Sequence, residues 1–168
     1  MPNQFHERIP RNSGAVTAED RVPLIEALEC RIGRAHFAVP TEAIERIVEY
    51  RAWPLPLGKG WVGGLSLHEG VPVVSVDVQR AKDKDRSGTP IKGILLRAPT
   101  SPIGWALEID EVFFLVQVRP VDRRDPDGKL PPWIQIATTL DRRSLGLVDV
   151  AGMLADLADI DGAAGGMR

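Results

Sequence analysis

Between residues 103 and 110, Ile103, Trp105, Leu107 and Ile109 alternate without a break with Gly104, Ala106, Glu108 and Asp110. A period of two is that of a strand whose successive side chains point to opposite faces, and it does not lay an apolar stripe along a helix. The same period recurs upstream. Leu28, Cys30 and Ile32 alternate with Glu29 and Arg31, Gly33-Arg34 offers a two-residue turn, and Ala35, Phe37 and Val39 alternate with His36 and Ala38. This reads as a β-hairpin, with Cys30 facing inward and His36 on the polar face.

The chain is organised around a second such unit, residues 63–78, GGLSLHEGVPVVSVDV. Two apolar runs, 65–67 and 71–78, flank the polar break His68-Glu69-Gly70. Glycine at 70 allows a tight reversal, and Pro72 removes one ladder donor, which suits a sheet edge. The expected unit is a buried hairpin with an exposed tip where a partner docks. Leu67, His68, Glu69, Gly70 and Val74 are the candidate partner-binding residues.

Pro40 and Thr41 break the first hairpin and start one helical turn, after which Ile44, Ile47 and Val48 return to the core. Residues 51–60 hold Trp53, Pro54, Pro56, Gly58 and Gly60 and form a rigid loop. Asp77 is placed to cap a short polar helix running to Ala81. The segment KDKDRSGTP at 82–90 reads as a solvated loop. Residues 91–96 form a further strand, and 112–118, apolar on both faces, a central one. A proline-rich loop at 119–132 precedes strands at 133–137 and 144–148, joined by a turn at Asp141-Arg142-Arg143. Asp149 caps a helix with Val150, Met153, Leu154 and Leu157 on one face, ended by Gly162. Residues 1–20 and 161–168 read as flexible tails around a domain spanning 21–160. About nine or ten short strands with close turns mean barrels or a sandwich, and a charged loop near the middle suits two small barrels.

The formal charge of −2 lacks the basic face that displaces counterions from phosphates, so no nucleic-acid partner is expected. One cysteine excludes an intrachain disulfide and a thiolate metal cluster and fits a reducing cytoplasm, the expected location. Residues 1–20 have no continuous apolar core, and no apolar run approaches the roughly 18 residues of a span, so no membrane insertion is expected. Gly58 to Gly64 lacks the Lys-Ser/Thr ending of a phosphate loop. Asp110 and Glu111 are adjacent on a strand and face opposite ways, and Ser66, His68 and Asp77 are not set to converge as a triad. No catalytic residue, metal or cofactor is expected, which favours a binding module.

A series of short motifs then resembles the CheW-like domain family, the adaptors of bacterial chemosensory arrays, from about Glu26 to about Leu157. His36-Phe37-Ala38-Val39-Pro40 is similar to that family's aromatic-Ala-Leu-Pro step, residues 44–48 to its Val-x-Glu-Val strand, and Leu55-Pro56 to its proline loop. Gly64 followed by Leu67-His68-Glu69-Gly70 is similar to Gly-x-x-Asn-Leu-Arg-Gly, and 71–78 to a valine-rich strand ending in Asp-Leu. Ile109-Asp110-Glu111-Val112 resembles Val-Asp-Glu-Val, and 147–154 the closing Leu-Asp-x-x-x-Leu-Leu. The resemblance implies a mainly β fold of two small five-stranded β-barrels sharing a hydrophobic seam, with a short C-terminal helix. It also implies a non-catalytic adaptor that binds the regulatory domain of a CheA-like histidine kinase and, near the Asn-Leu-Arg-Gly loop, the cytoplasmic tip of a methyl-accepting chemoreceptor. Glu69 stands where the family presents an arginine, and Leu67 where it presents an asparagine.

Two further readings accompany this one. Glu69 suits a divergent scaffold that competes for receptor in a pilus or gliding pathway. Trp53, Trp61, Trp105 and Trp133 suit a small-ligand barrel whose pocket lies between the two halves.

Overall fold

The structure, a computed structural model, describes residues 21–55, 60–79, 90–121 and 128–164. Ten strands, one 3-10 turn and one helix follow in the order β1 (Ile25–Ile32), β2 (Ala35–Pro40), the turn Thr41–Ala43, β3 (Ile44–Tyr50), β4 (Val62–His68), β5 (Val71–Val76), β6 (Ile91–Leu96), β7 (Gly104–Ile109), β8 (Glu111–Pro120), β9 (Ile134–Thr139), β10 (Ser144–Val148) and α1 (Val150–Ala164). The expected tail 1–20, the part of the expected tail 161–168 beyond Ala164, and the continuation of the Asp77 turn beyond Gln79 lie outside the described residues, while 161–164 belong to α1.

The mainly β class holds, with two five-stranded sheets. They differ in closure. The first is a closed barrel, β1-β2-β10-β9-β8, and the second runs β3-β6-β7-β5-β4 without a ladder between its end strands. The chain just past β3 partly bridges that gap, where Trp53 and Leu65 exchange backbone hydrogen bonds of 2.8 and 2.9 Å. Nor are the sheets successive halves of the chain. β3 to β7 are inserted between β2 and β8, and the charged segment, which but for Pro90 lies outside the described residues, falls between β5 and β6 in chain order. Parallel pairs β2–β10 and β5–β7 make the long-range links.

The first hairpin forms as read. Ile32 pairs with Ala35 across Gly33-Arg34, with Gly33 at φ 62°. Cys30, Ile32, Phe37 and Val39 meet Val76, Ile94, Trp105 and Leu107 in the seam between the sheets, closed by Met153 and Leu157 of α1. Fully burying side chains of this size stabilises the fold by about 1.5–3 kcal/mol each. Asp149 caps α1 by accepting the Gly152 N–H at 3.0 Å, and the helix runs on past Gly162 to Ala164.

Barrel closure overturns the polar reading of β1. A strand in a closed barrel has a lumen behind it instead of water, so Ala27 lies with Ala38, Val118 and Ala137 in a second cluster, and Glu29 is only 1% exposed. The second sheet has its own interior of Val48, Tyr50, Val73, Leu95 and Ala106. There Tyr50 Oη donates to Ser75 Oγ, which donates to Glu108 Oε1, each at 2.6 Å. Ile47 stays out of the core because strand alternation sets it on the face opposite Val48 and Tyr50. β8 is not the central strand its apolar sequence suggested: it pairs with β9 only from Val118 to Pro120, and Phe113, Phe114 and Leu115 are exposed.

Candidate functional site

The hairpin β4–β5 carries the sequence-predicted site. Leu67 pairs with Pro72 and His68 with Val71, so the loop is the two residues Glu69-Gly70. Both have positive φ, 50° and 80°, the pairing that a type I′ turn requires and that matches the twist of the flanking strands. Leu67, His68, Glu69 and Gly70 are therefore brought together at the tip. Val74 is not with them. It lies opposite Leu65, half-buried against the seam cluster, and also pairs with Trp105.

Glu69 is not a free anion at this tip. Its carboxylate accepts from Arg46 Nη2 at 2.6 Å and Arg46 Nη1 at 3.2 Å, across from the start of β3. The guanidinium holds the Glu69 carboxyl below its ordinary pKa, by its hydrogen bonds first and its charge second. Arg46 near the start of β3 and Glu69 in the tip therefore offset one another's charge.

Around the tip the surface is apolar. Leu67 is 61% exposed and Trp53 64%, and Ile47, Leu65 and Val71 are also exposed. Leu65 and Leu67 share one face of the hairpin with Trp53 beside Leu65, while Val71 lies on the opposite face and lines the groove; exposed apolar surface of this kind marks docking faces. Beside the tip a groove of about 300 Å³ is bounded by Glu45, Arg46, His68, Glu69, Leu96 and Ile103, among others. His68 Nε2 is buried without a hydrogen-bond partner among the described residues, 3.9 Å from Glu69 Oε1.

A second polar site, unread in the sequence, closes one end of the first barrel. Glu29 accepts from Arg143 Nη1 at 2.9 Å and Nη2 at 3.1 Å, and its Oε1 lies 2.8 Å from His36 Nδ1. The Arg143 hydrogen bonds lower the Glu29 pKa against the opposing effect of burial, with His36 adding to them. His36, expected on the polar face of its strand, keeps 40% of its side chain exposed and also stacks on Phe113 at a centroid distance of 5.2 Å.

The four tryptophans do not share one place. Trp61, Trp105 and Trp133 are packed in the seam, Trp61 edge-on to Trp133 at 6.3 Å, while Trp53 is on the surface. Ser66 Oγ donates to the Arg51 carbonyl at 2.8 Å, and Asp77 lies beyond the end of β5, accepting from the Gln79 N–H. Among the described residues no three His, Cys, Asp or Glu side chains gather as a metal site.

A model of the CheW-like domain matches residues 26–158, which covers both sheets and the start of α1. The chain belongs to the CheW-like domain family. Among solved structures this CheW-like domain is similar to the scaffolding protein TtCheW from Thermoanaerobacter tengcongensis, with a TM-score of 0.53 at 13% identity over 75% of this chain and 89% of that one. That likeness shows a shared fold. No curated protein sequence matches the chain significantly.

Proposed function

We propose that this CheW-like domain is a non-catalytic adaptor of a chemosensory-type signalling system, coupling a methyl-accepting receptor to a CheA-like histidine kinase at the cytoplasmic face of the membrane. The observation that carries this reading is the family match across both sheets. Two separate apolar surfaces support it: Leu65 and Leu67 on the hairpin of the second sheet, and Phe113, Phe114 and Leu115 on β8 of the first. An adaptor needs two such faces to hold two partners at once. The tip residues Leu67, His68, Glu69 and Gly70 belong to one of them, with Val74 supporting the hairpin from behind. Contacts of this size give modest affinity per site, raised by multivalency in an array.

No helix among the described residues is long and apolar enough to cross a membrane, so attachment to a receptor would come through protein contacts. The competing-scaffold reading took its motive from Glu69, whose carboxylate is paired with Arg46. Titration calorimetry of the chain against the kinase's regulatory domain and against the receptor tip from the same organism tests the proposal. Saturable binding to both is expected. Binding to neither removes it.

A further inference from the structure

We infer that the groove beside the hairpin tip anchors a partner's apolar side chain flanked by a lysine or arginine, and that Glu45 sets this charge preference. The inference rests on reading the hairpin as a partner surface and adds which chemistry that surface accepts. The floor is aliphatic, with Val73, Leu95, Leu96 and Ile103 among its residues, and about 300 Å³ is the low end of ligand-sized pockets, suited to a single side chain. Its polar rim carries two carboxylates, Glu45 and Glu69, against one guanidinium, Arg46.

Both terminal nitrogens of Arg46 are taken up by Glu69. Glu45 is exposed and makes no ion pair among the described residues, acting on Arg46 through its charge. The rim is therefore left with an uncompensated negative charge beside an apolar cavity. A cation next to an apolar side chain complements both features together, whereas an acidic flank would be repelled. His68 lies in the same wall, its Nε2 shielded from solvent and 3.9 Å from Glu69 Oε1.

The test measures affinity of the full chain for the CheA-like regulatory domain and for the receptor tip, with Glu45→Lys, Glu45→Gln and Val71→Trp variants. Glu45 and Val71 are exposed, so wild-type melting temperatures are expected throughout. For one of the two proteins, Glu45→Lys should weaken binding about five- to tenfold at low ionic strength, and less than about twofold in 0.5 M salt, where charges are screened over a few ångströms. Glu45→Gln should fall between, and Val71→Trp, which crowds the groove, should weaken the same complex at every salt concentration. If the wild-type chain binds both proteins and Glu45→Lys binds each as tightly or more tightly at low salt, the inference is overturned while the adaptor reading stands. If the wild-type chain binds neither, both fall together.

Discussion

Replacing Glu29 by glutamine removes one charge from the buried end of the first barrel while keeping the shape of the side chain. The carboxylate is only 1% exposed and receives a two-pronged contact from Arg143 and one from His36. Removing one member of a buried pair costs about 3–5 kcal/mol when the other charge is left stranded. Here the stranding is partial, because the Arg143 side chain is 42% exposed and also bonds Asp141. The loss should therefore be nearer the ~1–2 kcal/mol of charge-assisted hydrogen bonds forgone, a fall of about 3–6 °C in Tm for a domain of this size.

The pH dependence gives the sharper test. The folded pKa of Glu29 lies below its ordinary value, so its contribution is fully present above the unfolded value near ~4.3 and is lost as pH falls through the folded one. The difference between wild type and Glu29→Gln should be full at pH 7 and shrink as pH falls below the unfolded value near ~4.3 and through the lower folded one. Urea unfolding at pH 7, 5 and 3.5, comparing midpoints at equal slope, measures it. A difference that does not change with pH, or a variant more stable than wild type at pH 7, would refute the claim that the ion pair outweighs its desolvation.

Three further outcomes are expected. Glu69→Arg alone sets two cations side by side at the tip and should speed amide exchange in the β4–β5 turn, and the exchanged pair Arg46→Glu with Glu69→Arg should restore protection; no rescue in the double variant means the two residues do not act as a pair. Burial pushes the Cys30 thiol up to about 12, with the nearby Glu29 charge adding to it, so iodoacetamide at pH 8 should leave the native chain unlabelled and modify it readily in urea; fast native labelling contradicts the buried placement. Leu67→Asp, at a position 61% exposed, should leave the melting temperature unchanged and weaken one partner complex at least about tenfold if the apolar tip is a contact; unchanged affinity for both partners removes Leu67 from the interface.

Local features were legible because local chemistry fixes them. The turn at Gly33-Arg34, the reversal at Glu69-Gly70 and the Asp149 cap each depend on residues a few positions apart. Features that depend on distant closure were not. Glu29 alternates with apolar neighbours just as a solvent-facing residue does, and only closure of β1 through β8 buries it beside Arg143, 114 positions away. Arg46 and Glu69 meet because the chain after β3 folds back along β4. The apolar run in β8 carries no mark separating a buried strand from one that exposes Phe113 to Leu115. A period-two pattern states that a residue faces one side, and the topology decides whether that side holds lumen, seam or water.

The central claim is that two apolar faces on different sheets hold two proteins at once. Sedimentation of receptor tips displayed on vesicles, with the soluble kinase regulatory domain added in the presence and absence of this chain, tests it most directly. The account predicts that the kinase domain sediments beyond its own background only when the chain is present, and in proportion to it. Kinase domain that displaces the chain from receptor, or that stays in the supernatant while the chain sediments, would contradict it.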